Sequence, residues 1–358
     1  MTLPPESAAW LQDISGASSI DEVQHVQTLW SGYGQILRVK LKQPTWPDSD
    51  SSTSTSRATS VIVKQISPPS STEPGGAHPR GWNTSQSHRR KLRSYEVESA
   101  FYAHHASHCD ESCRVAKCLA QAELPAGQII VLEDLDQAGY PIRHRSLNAV
   151  GVNQGLRWLA HFHARFLHRR DQANQWNDLW PIGTYWHLAT RPDEFETMPE
   201  GALKQAAAAI DACLNDCEFQ TLVHGDAKVA NLCFAAGHDQ SPAMVDFQYV
   251  GRGCGMKDVA YFLSSCVSQS ECERNESRYL ATYFDSLRDA MSTHGTERIE
   301  FTALENSWRK LYPIAWADFV RFLEGWCPGH TKLTGYSHRM TNLALEHLGR
   351  EHTPSPND

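Results

Sequence analysis

The run "HGDAKVAN" (224–231) sets Asp226 five positions ahead of Asn231, and a second aspartate, Asp246, follows fifteen positions after that. Short apolar stretches lead into both aspartates: Thr221, Leu222 and Val223 before the first, Ala243, Met244 and Val245 before the second. Two short strands joined by a turn would gather the three residues around one small space. Carboxylate and amide oxygens collected in this way form a hard ligand set that suits Mg2+, and such an ion commonly arrives with phosphate. Gly225, beside Asp226, asks for a tight backbone at a strand end rather than a packed core. The chemistry within reach is phosphoryl transfer, which asks a protein for positioning and charge stabilisation more than for covalent work.

The order H-G-D-x-x-x-x-N followed by an apolar run and D-F resembles the catalytic core of the protein-kinase-like fold in its small-molecule branch. That branch holds the aminoglycoside phosphotransferases, the choline kinases and the ecdysteroid-kinase-like proteins. Protein kinases carry H-R-D and D-F-G at these places; here Gly225 replaces the arginine and Gln248 the glycine. The arginine reads a phosphorylated activation loop, and no A-P-E run follows in this chain, so neither that control nor a peptide substrate is expected. The resemblance implies ATP as donor, Asp226 as the group that accepts or orients the proton of an acceptor hydroxyl, and Asn231 and Asp246 as Mg2+ ligands. Lys228 matches the lysine that many Ser/Thr protein kinases place against the transferring γ-phosphoryl. His224 is expected to brace the turn. Asp258, just ahead of an apolar helix, either caps that helix or braces the catalytic loop.

The same resemblance assigns roles upstream. Lys64 in "VIVK" matches the strand lysine that holds the α/β-phosphates, and Glu98 in "SYEVESAFY" its helix carboxylate, with Glu96 as the alternative. Ser31, Gly32 and Gly34 sit where a phosphate loop belongs, although the third glycine of G-x-G-x-x-G is missing. Backbone groups from Glu133 to Leu135, after the apolar strand "QIIVLEDL", would pair with the adenine edge. Trp180, Tyr185 and Trp186 offer a wall for the acceptor pocket, a pattern that core packing would share. His161 and His163 read as packed or capping residues.

These residues need elements to hold them. Strand patterns cover 35–41, 61–66 and 128–135, and a helix covers 91–106; helical periodicity then takes over at 155–168, 201–216, 258–267 and 278–291. The expected fold is α+β and two-lobed, with a small β-rich N-terminal lobe (1–136) and a larger, mostly helical C-terminal lobe (137–358). Polar, Pro/Gly/Ser-rich stretches at 43–60 and 67–90 read as loops inserted in the first lobe.

At 358 residues, 41% hydrophobic, with a formal charge of −8, the chain can bury a large core and offers no overall attraction to nucleic acid or anionic membranes. The N-terminus shows no signal-peptide pattern and no apolar run reaches membrane-spanning length, so a cytoplasmic protein with free thiols is expected. "HHASHCDESCRVAKC" has only one zinc-like spacing, Cys109 to Cys113, and reads better as a helix end and turn than as a metal site. The expected partner is a small molecule with a hydroxyl, either cationic, as for aminoglycosides and choline, or apolar and steroid-like. The alternative is a catalytically silent protein of the same fold that binds nucleotide or metabolite as a sensor or scaffold.

Overall fold

The computed structural model describes residues 3–46, 59–68, 85–170, 176–237, 240–294 and 299–351. The chain forms two compact units, one of Met1–Ser107, Val115–Ile142 and Cys233–Ala243, the other of His108–Arg114, Arg143–Leu232 and Met244–Asp358. Of the two expected loops, 47–58 and 69–84 lie outside the described residues. Residues 85–90, read as loop, are instead the first turns of a helix.

In the first unit, helix α1 (Pro5–Ser15) precedes strands β1 (Ser19–Thr28), β2 (Gly34–Lys42) and β3 (Ser60–Ile66), helix α2 (Ser85–Ala100), and strands β4 (Cys118–Leu124) and β5 (Gly127–Glu133). The sheet runs β1-β2-β3-β5-β4, each neighbour antiparallel. Strand alternation decides what each face carries. Val61 and Val63 of β3 pack with Leu37, Val39 and Leu41 of β2, with Ile129 and Val131 of β5, and with Leu11 of α1. Each such fully buried aliphatic side chain contributes about 1.5–3 kcal/mol. Lys64 is offset by one residue and therefore turns to the other face. Helix α1 and strand β1 were not legible in the sequence, because β1 ("SIDEVQHVQT") is an edge strand with most positions exposed.

The second unit is mostly helical. Helix α3 (Ala149–Arg165) starts at Asn148, whose side chain accepts from Gly151 N at 2.9 Å. Strand β6 (His168–Arg169) and helices α4 (Pro192–Thr197), α5 (Ala202–Gln205) and α6 (Ala207–Asn215) lead to β7 (Phe219–Val223), all five residues of which are buried. The chain changes unit within β8 (Leu232–Cys233) and returns within β9 (Ala243–Met244). Strand β10 (Gly251–Gly253) pairs antiparallel with β7, which pairs antiparallel with β6 on its other side. Helices α7 (Met256–Cys266), α8 (Gln269–His294), α9 (Phe301–Trp326) and α10 (Gly335–Glu351) complete the unit. Two side chains pin β7 in place: Trp308 Nε1 donates to Phe219 O (3.1 Å) and Thr221 Oγ1 to His163 O (2.7 Å). No described helix is long and apolar enough to cross a membrane.

Candidate active site

Strand β7 ends at Val223 and delivers His224, Gly225 and Asp226 into a tight loop. Gly225 has φ +78°, and a Cβ there would lie 2.1 Å from Tyr249 O and 2.7 Å from Thr184 N. Glycine is therefore required, which accounts for the departure from H-R-D. The Gly225 carbonyl accepts from Tyr185 N at 3.1 Å, fixing that segment against the loop. Buried His224 is neutral: Nε2 donates to Val245 O (3.1 Å) while Nδ1 accepts from Asp226 N (3.2 Å). Burial pushes its pKa down, against the opposing pull of Asp258, Asp226 and Asp246. It is a brace, as expected from the sequence.

Asp226 is buried, and three donors hold its carboxylate. Lys228 Nζ lies 2.6 Å and Asn231 Nδ2 3.2 Å from Oδ2, and Tyr261 OH lies 3.1 Å from Oδ1. Burial raises the Asp226 pKa; the Lys228 charge works against that and the Asp246 charge adds to it. For Lys228, burial works to lower the pKa, but the charge and hydrogen bond of Asp226 outweigh it and the ammonium is held more tightly than usual. Lys228 is thus a half-buried partner of Asp226 rather than a solvated loop residue.

Helix α7 supports this loop along one face. Asp258 accepts from His224 N (2.5 Å) and Gly225 N (3.0 Å), Tyr261 bonds Asp226, and Ser265 Oγ accepts from Val229 N (3.1 Å). The spacings of three and four residues put all three side chains on the same side of the helix. Asp258 therefore braces the loop and does not cap its helix. His163 completes the support, its Nε2 donating to Asp258 (3.2 Å) and its Nδ1 accepting from Tyr283 OH (2.7 Å). Tyr261 was missed in the sequence, although its position one turn beyond Asp258 was the available signal.

Backbone contacts bring Asp246 to the same place. Val245 N donates to Asn231 O (3.0 Å), and Val245 O accepts from His224, so the peptide just ahead of Asp246 is held from both sides by the 224–231 loop. Asp246 has φ +72°, a left-handed conformation that costs a non-glycine residue on the order of 1 kcal/mol and tends to cluster at functional sites. Asn231 Nδ2 also donates to Asp226 O (2.9 Å), so the atom of Asn231 that could take a cation is its amide oxygen. An amide oxygen beside two carboxylates, of which Asp246 adds to the raised pKa of Asp226, is a donor set that a divalent cation fits.

In the first unit, Lys64 Nζ lies 2.5 Å from Glu98 Oε2, both buried, whereas Glu96 is exposed and pairs with Arg93. Glu98 is the partner. Gly32 (φ +74°) lies in the turn between β1 and β2 and Gly34 (φ +139°) opens β2, where a Cβ would lie 2.0 Å from Gln65 O. The Ser31 side chain lies outside the described residues. The segment from Glu133 to Leu135 is firmly held: Glu133 exchanges hydrogen bonds with the Lys117 backbone, Asp134 takes Arg38 and Ser60, and Leu135 O accepts from Tyr140 N.

The aromatic segment divides. Trp186 is fully buried, donates to Asp318 Oδ2 (3.0 Å) and belongs to a core with Phe319, Phe322 and Leu323, so it is not a pocket wall. Tyr185 packs edge-on to Tyr249, Tyr261 and Phe322, next to Asp226's own partner, and Trp180 stacks on Tyr249.

A family model described as "Uncharacterized oxidoreductase dhs-27" matches residues 195–325, and that family is ecdysteroid-kinase-like. No curated protein matches the sequence. Among solved structures, the chain is similar to one from Ralstonia eutropha JMP134, provisionally described as an aminoglycoside phosphotransferase (13% identity, 96% of each chain, TM-score 0.49). It is similar to amicoumacin kinase hAmiN in complex with AMP-PNP, Ca2+ and Ami (11% identity, 99% of this chain and 96% of that one, TM-score 0.47). A Plasmodium vivax ethanolamine kinase is a third (13% identity, 93% and 82%, TM-score 0.43). With an antiparallel-sheet unit that carries the Lys64–Glu98 pair and a helical unit that carries H-G-D, Asn231 and D-F, the chain is α+β and resembles the small-molecule branch of the protein-kinase-like superfamily.

Proposed function

We propose that this chain is a phosphotransferase that moves the γ-phosphoryl of ATP, bound with Mg2+, to a hydroxyl of a small organic molecule. The observation that carries the reading is the clamp around Asp226: a buried carboxylate held by Lys228, Asn231 and Tyr261, with Asn231 also fixing the peptide before Asp246. A carboxylate whose pKa burial has raised is a better base than an ordinary aspartate. Asp226 orients the acceptor hydroxyl and takes its proton as the new O–P bond forms and the bond from the γ-phosphorus to the β,γ-bridging oxygen breaks, ADP carrying that oxygen away. Lys228 meets the charge on the transferring group. Asn231 and Asp246 would hold Mg2+, which when bound neutralises phosphate charge. Lys64, oriented by Glu98, holds the α/β-phosphates; the backbone at Gly32 and Gly34, with the Ser31 hydroxyl, serves the phosphates, and the backbone from Glu133 to Leu135 serves the adenine edge.

The test is ADP release from Mg-ATP by the purified protein, with pooled polar and apolar metabolite extracts, beside Asp226→Asn. Extract-dependent release that falls about a thousandfold or more in the variant supports the reading. Failure to bind Mg-ATP in calorimetry would instead favour a silent, ligand-sensing protein. The oxidoreductase wording of the matched family is read in the same extracts, because hydride transfer to NAD changes absorbance without releasing ADP.

A further inference from the structure

Beside Asp226 stands a group of aromatic rings whose faces already carry cations of the protein itself. Tyr261, which donates to Asp226, packs on Phe319 and Tyr185, and Tyr185 packs on Phe322. Lys332 Nζ lies 4.6 Å from the Tyr261 ring centre and 5.3 Å from that of Phe319. The Arg191 guanidinium lies 5.6 Å from Tyr185 and 5.4 Å from Phe322, and is neutralised by Glu194 at 3.0 Å. Lys332 differs from Arg191: among the described residues its ammonium has no hydrogen bond and no ion pair. Its place is nonetheless fixed. Leu333 packs against the aromatic core, Leu333 N donates to His330 O, and Ser337 Oγ donates to Lys332 O at 2.6 Å. Burial pulls the Lys332 pKa down to about 8; Asp226 opposes this and Lys228 adds to it. The Asp226 carboxylate, whose charge supports the Lys332 ammonium, is already engaged by Lys228.

An ammonium-bearing acceptor would compete here with the protein's own cations, since Lys332 and Arg191 lie over these rings while Asp226 and Glu194 are paired with Lys228 and Arg191. A half-buried lysine without a counter-ion among the described residues, its ammonium over the ring of the tyrosine that bonds Asp226, is a place for an anion. We propose that Lys332 recognises the acceptor, and that the acceptor is an organic hydroxy acid whose carboxylate or other oxyanion pairs with Lys332 while its hydroxyl meets Asp226. The role of the hydroxyl rests on the phosphotransferase reading; the anion site does not.

The experiment uses the full chain and limited acetylation by acetic anhydride, with Lys332 modification quantified by mass spectrometry and exposed Lys40 as the reference. The probes are hydroxymethylbenzoate and hydroxydodecanoate, their uncharged amides, and choline. A hydroxy acid at several times its Kd is expected to slow Lys332 acetylation about fivefold, the amides and choline leaving it unchanged. Lys332→Met is expected to raise KM for the hydroxy acid about tenfold or more in ADP release while lowering kcat far less, with Lys332→Arg retaining most of the affinity. Equal protection by acids and amides, protection by choline, or no protection by any probe overturns the proposal. ADP release with choline or an amide, without protection by the acids, would sink the anion site and leave phosphotransfer standing. Protection by the acids with no ADP release above Asp226→Asn would keep the anion site and sink phosphotransfer.

Discussion

Asp226 is held in its charged form against its surroundings. Its folded pKa is raised above the ordinary 3.8, by burial first and by Asp246 in addition, despite the pairing with Lys228. A raised folded pKa means that its contribution to stability is fully present below the unfolded pKa and is lost as pH rises through the folded value. Asp226→Asn, which cannot ionise, is therefore expected to be more stable than the natural chain at pH 7, with the two urea midpoints converging as pH falls below the ordinary aspartate range. The acid limb of kcat in the natural chain should lie above that same range. A variant less stable at pH 7 would show that pairing with Lys228 outweighs burial, contrary to this account. Lys64 shows a second residue-scale choice, since its buried partner is Glu98 while Glu96 faces solvent.

At the scale of elements, the 224–231 loop depends on a strand end that only glycine fits and on one face of α7. Gly225→Ala combines a strained φ with a Cβ 2.1 Å from Tyr249 O. It is expected to lose about 3 kcal/mol or more in urea unfolding, and to lower kcat because Asp226 follows directly. A change below about 1 kcal/mol would mean that the turn can relax, and would undercut the argument that glycine excludes the arginine of H-R-D. The loop itself was legible, because H-G-D, the asparagine and D-F keep fixed spacings. Its support was only partly so: Asp258 stood out at the start of an apolar helix, whereas Tyr261 and Ser265 read as ordinary positions of that helix until the structure laid its face against the loop. Lys332 gave no signal at all, since "PGHTKLTGY" is turn-like and its neighbours are ring faces from distant parts of the chain.

For the molecule as a whole, the two units are not two consecutive stretches of sequence. His108–Arg114 belongs to the helical unit, where Arg114 O accepts from Trp158 Nε1 (2.9 Å) and from Met244 N (2.9 Å), and Asp110 pairs with Arg165 (2.5 Å). A fragment of 137–358 leaves the indole and the peptide N–H without these acceptors. Compared in urea unfolding with a fragment of 108–358, it should be less stable by about 2–4 kcal/mol, and equal midpoints would show that the short segment is dispensable.

The sequence by itself determined the α+β class and singled out the residues proposed to carry chemistry, because strand alternation, helical periodicity and the spacing of H-G-D, Asn231 and D-F are local properties that one chain displays without its fold. It could not determine which of two glutamates meets Lys64, that Trp186 is core rather than wall, or that Lys332 stands beside Asp226's tyrosine. Those outcomes depend on which faces of distant elements meet, and burial and pairing energies are settled there, between residues that no local pattern connects.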